Sequence, residues 1–336
     1  LSDTAADRSH PLARWATRLL ALVFNLVEPP MALAQATLGA RRLPWLFLTP
    51  NLIVFGIFTF LPIVIDVYYA LTGGAQLLPA DRPLVGAENF RELFECRSYL
   101  EPESCRRDLF WYGVHNTVLF VLLQVGLMVV FSLITALVLN HKILGRSFFR
   151  AVFFYPVLLS PVVVALIWKW ILQRQGLLNA ALAGTGVTPI NWLLDAHWAF
   201  AWTVFVSIWA HMGFYTLILL AGLQAIPREV YEAAEMDSAG PWRVLRRVTL
   251  PLLAPNLTVV IILALIRAVQ VFDEVYVLTG GGPGSATTFI VQYIYQTAFS
   301  QQVRQYGLAA AASLLLAGAL LGLTLLQLRT MKGKEK

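Results

Sequence analysis

The sequence predicts an all-α protein that crosses a membrane several times, and three observations carry that expectation. Of its 336 residues, 58% are hydrophobic and 13% charged, against about 45–50% and about 25% in soluble domains. The mean hydropathy is +0.68. Several apolar runs exceed the roughly 20 residues that a helix needs to cross a bilayer.

Residues 12–38 hold a short apolar stretch, Leu19 to Val27, with Arg14 and Arg18 before it and Glu28-Pro29-Pro30 after it. It is short for a span and lacks the small-residue cleavage site of a signal peptide. It reads as an interfacial amphipathic helix, with an extra span as the alternative, in a cytoplasmic segment 1–43. Arg41-Arg42 precede the first span, Pro44 to Leu71, and a polar loop, 72–109, completes a region 44–110. That loop holds both cysteines, Cys96 and Cys105. Facing an oxidising compartment they can pair across a short loop; two free thiols fit the sequence equally.

A core region 111–330 holds the other spans: 110–139, 151–172, 198–225 after a loop at 173–197, 253–278 and 306–328. Between the last two lie "LTGGGPGSATT" and a polar-aromatic segment, 285–305. A tail, 331–336, closes the chain. No internal repeat and no broken helix is read in these spans.

Basic residues in loops near span ends mark the cytoplasmic side. Segments 1–43, 140–150, 226–250 and 329–336 carry 16 of the 25 basic residues, whereas loop 72–109 has five against seven acids. Six spans with both termini cytoplasmic satisfy this bias. The net charge of +6 is therefore a mark of topology; membrane lipid is an expected partner and nucleic acid is not.

Loop 226–250 stands out between apolar spans because it is polar and helix-prone. Pro227 suits a first helical turn. Glu229, Glu232 and Glu235 favour the N-terminal half of that helix, and Gly240 is expected to stop it. Pro241 then starts a second short helix with Arg243, Arg246 and Arg247, and Leu250-Pro251 marks re-entry into the membrane. Such a helix-turn-helix lies along the cytoplasmic face and offers Ala233, Ala234 and Gly240 for close approach by another backbone. Its length and regularity favour an interface over a solvated connection.

"EAAEMDSAG", followed by Val248 and Leu250-Pro251, resembles the EAA motif of binding-protein-dependent ABC importer permeases. "IPREVYEAAEMDSAGPWRVLRRVTLPLLAP" and "FDEVYVLTGGGPGSATT" are similar to the carbohydrate-uptake branch, which includes maltose-type and glycerol-3-phosphate-type permeases. The resemblance covers residues 44–330 and implies a type I ABC importer transmembrane fold in a bacterial cytoplasmic (inner) membrane. It implies that loop 226–250 is the coupling helix resting in a cleft of a separate ATPase, with Glu232, Ala233, Ala234, Asp237 and Gly240 at the contact. The family often has glycine after the aspartate, where this chain has Ser238. A second homologous permease, two ATPase subunits and an external solute-binding protein are the implied partners.

"GGGPGSATT" lacks the lysine that a Walker A loop needs to reach phosphates. The chain is expected to hold no nucleotide, cofactor or metal of its own, with ATP and Mg bound by the partner ATPases. Neither H-E-x-x-H nor G-x-S-x-G occurs, so an enzyme is not expected.

Ionisable groups deep in a span cost about 2.5–3.5 kcal/mol on insertion scales and are functional candidates. Asp66, Lys169, Asp273 and Glu274 fall near outer span ends. Arg267 lies roughly 18 Å into span five from the inside, and His211 roughly 18 Å into span four from the outside. Ser207, His211 and Tyr215 share one helical face, with Phe214 beside them, and Arg267, Gln270 and Glu274 share another. These seven residues are candidates to meet a polyhydroxylated, sugar-like solute; interhelical adhesion is the alternative. An arginine there fits an anionic group on the solute or a helix–helix ion pair. The expected function is one permease subunit of an ATP-driven importer of a sugar or sugar derivative, with an ion-gradient transporter or channel as the alternative class.

Overall fold

The structure is a computed structural model that describes residue 39 and residues 43–141, 144–300 and 304–332. The expected interfacial helix at 12–38, Arg41-Arg42 and residues 333–336 lie outside the described residues. The chain divides into two compact units, Leu1–Ile65 and Asp66–Lys336.

Helix α1 (Leu43–Phe55) passes through one π turn (Gly56–Phe60) into α2 (Leu61–Ala70). Then come α3 (Glu88–Phe94), α4 (Asp108–Asn140), α5 (Arg146–Phe154), α6 (Pro161–Ile171), α7 (Leu177–Leu182) and α8 (Ala196–Ala225). After α9 (Arg228–Met236), α10 (Pro241–Val244) runs through a second π turn (Leu245–Thr249) into α11 (Leu250–Val269). The chain ends with α12 (Asp273–Leu278), α13 (Ile290–Tyr295) and α14 (Tyr306–Lys332). Among the described residues the only pairing of strand type is two isolated bridges, Thr72 with Leu84 and Cys96 with Cys105. Five helical stretches among the described residues are long and apolar enough to cross a membrane, and six when the bent pair α5–α6 counts as one. The all-α fold class read from the sequence is thus the fold observed, and five to six candidate spans agree with the six expected.

In the second unit α4 buries Phe110, Gly113, Thr117, Phe120, Gln124, Met128, Ser132, Ala136 and Leu139. These recur every three or four residues, so one stripe faces the protein while Val118, Leu122, Val130 and Ile134 stay exposed, as a lipid-facing side requires. The stripe packs on Ile208, Leu219 and Leu223 of α8 and on Leu253, Val260 and Ala264 of α11. Lipid tails are as apolar as these side chains, so close packing rather than water exclusion holds the helices together. Small residues permit it: a Cβ on Gly222 of α8 would come within 2.6 Å of the Asn256 side chain and 2.8 Å of Leu253.

The third span departs from expectation. In place of one helix over 151–172, the stretch Arg146–Leu158, which is α5 and the turn after it, meets α6 at 102°. The sequence Tyr-Pro-Val-Leu-Leu-Ser-Pro, residues 155–161, accounts for this. Leu159 and Ser160 are extended, with ψ 145° and 138°. A residue before proline avoids the helical region, and Pro161 then opens α6 at its first position.

Span five also differs. No break occurs at Leu250-Pro251: the helix begins at Pro241 and the expected second short helix is its first turns. Pro251 lacks an N–H, and the π turn before it widens the ladder so that Leu250 N–H bonds to Leu245 O. At the other end the helix stops at Val269, not Leu278, and Asp273 and Glu274 open the separate helix α12. Two acids are favourable at a helix N-terminus. The face expected to join Arg267, Gln270 and Glu274 is therefore interrupted.

Loop 72–109 is folded. Cys96 and Cys105 form a disulfide, which resolves the open alternative. Arg106 pairs with Glu92 at 3.2 Å and Glu95 at 2.8 Å, and Arg107 with Glu92 at 2.8 Å. The hydrogen bond from Arg106 holds the Glu95 carboxyl below its ordinary range. Buried Arg82 donates to Thr72 Oγ1 (2.8 Å), Gln76 O (2.6 Å) and Thr72 O (3.2 Å), with its guanidinium 4.5 Å from the Tyr69 ring centre. The glycine-rich stretch after α12 is a turn, with positive φ at Gly280, Gly281 and Gly284. Asn116 of α4 anchors it by donating to Ser285 O at 2.7 Å and Thr288 O at 3.0 Å.

Candidate functional site

Where the third span breaks, α8 and α11 face the gap across a cavity of about 440 Å³. That volume lies in the range of about 300–1,000 Å³ usual for small-molecule sites. The break supplies Pro156, Val157, Leu159 and Pro161; α8 supplies His211, Phe214 and Tyr215; α11 and the residue after it supply Ile266, Arg267 and Gln270. Irregular backbone at membrane depth is found where it lines a cavity, so the break itself does not call for an ion-gradient mechanism.

His211 stands midway along α8. Its Nδ1–H donates to Ser207 O at 2.8 Å, and its Nε2 lies 2.6 Å from Arg267 Nη2. These partners assign the neutral tautomer with the proton on Nδ1, because Nε2 must accept from a guanidinium that can only donate. The two deep ionisable residues singled out from the sequence therefore touch. Among the described residues no carboxylate lies within 4.0 Å of Arg267. Arg267 also sits in the last turn of α11, where the carbonyl end of the helix favours a cation.

Of the seven residues proposed to meet solute, the cavity gathers five: His211, Phe214, Tyr215, Arg267 and Gln270. Ser207 and Glu274 are buried and do not line it; Ser207 Oγ donates to Glu274 Oε1 at 3.5 Å. Ser207 acts on the cavity through its backbone carbonyl, which orients His211. Sequence reading missed the wall made by Pro156, Val157, Leu159 and Pro161. The two prolines five residues apart were the available mark.

Loop 226–250 presents a second surface. Glu232, Ala233, Asp237 and Gly240 are exposed, whereas Ala234 is 8% exposed and turned inward. Two apolar side chains that the sequence reading passed over stand out beside them, Met236 at 86% exposed and Trp242 at 73%. The stop of α9 is not at Gly240. Ala239 N–H bonds to Ala234 O at 3.0 Å and Ser238 N–H to Glu235 O at 2.9 Å, with Ser238 left-handed at φ 53°. This is a Schellman stop whose turn position usually holds glycine; Gly240 has φ −64° and caps α10. Ser238→Gly should therefore stabilise the loop by about 1 kcal/mol, seen as a higher melting midpoint of the purified complex. An unchanged or lower midpoint would contradict that assignment of strain.

Comparison with known proteins decides the family. Residues 128–329 match the family described as "Binding-protein-dependent transport system inner membrane component". The chain belongs to this family. The permease is 36% identical over 289 residues to the trehalose/maltose transport system permease protein MalF of Thermococcus litoralis, covering 86% of this chain and 93% of that one. It is 36% identical over 280 residues to the sulfoquinovosyl glycerol transport system permease protein SmoG of Agrobacterium fabrum, covering 82% and 86%. Among solved structures, a chain of a bacterial ABC transporter that imports the acidic polysaccharide alginate superposes with a TM-score of 0.72 and 25% identity, covering 88% of the permease and 96% of that chain. The permease is thus an inner-membrane transport component, and nothing in its relatives favours the ion-gradient alternative.

Proposed function

We propose that this permease subunit imports a sugar or sugar derivative, with the cavity between α8, α11 and the broken third span as part of the solute path. The observation that carries the reading is the convergence of His211, Arg267, Gln270, Phe214 and Tyr215 on one cavity. Aromatic faces and hydrogen-bonding groups together suit a polyhydroxylated ligand. The relatives named for trehalose/maltose and sulfoquinovosyl glycerol transport support the sugar class.

A second, homologous permease completes the path, and an external binding protein delivers solute. ATP and Mg are bound by two partner ATPase subunits, and each permease couples to them through its loop between spans four and five. Here that loop offers Glu232, Ala233, Asp237 and Gly240, with Met236 and Trp242 alongside. Ala234 serves from within, packing α9 on its own chain. The division read from the sequence into segment 1–43, region 44–110, core 111–330 and tail 331–336, with both termini cytoplasmic, is part of this proposal. The disulfide in loop 72–109 supports placing that loop outside, where disulfides persist.

Copurification tests the assembly: this chain, carrying an affinity tag, should retain an ATPase and a second permease in detergent, and recovery of the chain alone would contradict it. Thiol labelling tests the orientation. After mild reduction, Cys96 and Cys105 should react with a membrane-impermeant maleimide added outside intact cells, whereas a cysteine introduced by Ser238→Cys should not. Labelling of position 238 from outside would overturn the topology.

A further inference from the structure

The charged groups around the cavity are distributed unevenly. Its wall carries one charged side chain, Arg267, and that side chain is exposed. The broken third span contributes only apolar groups, and His211 is held neutral between Ser207 O and the guanidinium. Gln270, also exposed, offers an amide one turn beyond Arg267. Glu274 stands off the wall, buried and bonded to Ser207. Asp273 and Lys169 are off the wall as well, and Lys169 donates to Val277 O at 3.0 Å.

A guanidinium has five N–H donors, and the contact with His211 occupies one Nη. The remaining donors include the fork that carboxylates and sulfonates match with two parallel hydrogen bonds. With no carboxylate within 4.0 Å among the described residues, this exposed guanidinium is open to an anion that enters the cavity. His211, fixed by the Ser207 carbonyl, sets the direction of the fork. We infer that the solute is an acidic sugar whose carboxylate or sulfonate seats on Arg267, with His211 as a positioning residue. The inference rests on the reading of this cavity as the solute path.

The test uses the whole importer in proteoliposomes, with ATP inside and its binding protein outside, and reads uptake and stimulated ATP hydrolysis. Two neutral probes, maltose and trehalose, are set against a mannuronate disaccharide for the carboxylate and sulfoquinovosyl glycerol for the sulfonate. At least one acidic probe should be taken up tenfold or more better than both neutral ones, and Arg267→Gln should remove that preference in a complex of normal yield. Arg267→Lys keeps the charge and loses the fork, so it should raise the half-saturating concentration of the acidic probe about tenfold; this variant is the readout if the Gln variant assembles poorly. Neutral probes equal to or better than the acidic ones, or an acidic preference that survives Arg267→Gln, would overturn the inference and leave the sugar reading standing. A Gln variant whose lost assembly returns on removing a carboxylate from the second permease would assign Arg267 to a subunit ion pair, and would also overturn it. Failure of both probe series in an importer that moves a non-sugar solute would overturn the sugar reading itself.

Discussion

Gly240→Trp and Glu232→Lys should each cut ATP-driven uptake by about 30-fold or more, with the permease still inserted and folded. The estimate follows from losing one interface hot spot of about 2 kcal/mol. The structure makes this a selective experiment. A Cβ on Gly240 meets nothing within 4 Å, and its φ of −64° suits any residue. Glu232 is exposed and makes no ion pair among the described residues. Neither change strains this chain, so a loss must arise where a partner sits. Measuring ATPase retention on the tagged permease beside uptake checks it. Full retention with undiminished transport in both variants would remove loop 226–250 from the coupling role.

Gly213→Leu acts in the opposite way, through the fold. A Cβ at Gly213 would overlap Phe153 O and lie 2.9 Å from Phe154 Cα. Backbone of the broken span cannot yield as a flexible side-chain end does. Overpacking of this kind costs about 1–3 kcal/mol, and it would push α5 and the Tyr155–Leu158 turn away from α8, displacing the cavity wall. Melting midpoint and complex yield should both fall, and uptake with them. A variant of normal melting and transport would show that α5 and α8 separate without consequence.

How much of this was legible in the sequence depended on the range of the interactions involved. The spans were legible because lipid selects composition residue by residue. The buried stripe of α4 and the exposed residues between it are the direct result. His211 and Arg267 were also legible, since depth along a helix follows from rise per residue alone. Their 2.6 Å contact was not, because it depends on how α8 and α11 rotate about their axes. The bend in the third span was written in Pro156 and Pro161, but a high apolar content masked it. Glu274 went astray for a local reason: Asp273 and Glu274 begin a new helix, so helical spacing counted from Arg267 does not carry across. The stop of α9 was read at the glycine, whereas the hydrogen bonds place the left-handed residue at Ser238. Pairing of Cys96 with Cys105 was undecidable from spacing and follows from the fold of loop 72–109.

The most direct test of the central claim is uptake of radiolabelled solute into proteoliposomes that contain the full importer, with the driving force chosen by the experimenter. The account predicts accumulation that requires ATP inside and binding protein outside, and that persists when ionophores collapse every ion gradient. Accumulation driven by a proton or sodium gradient without ATP would contradict it.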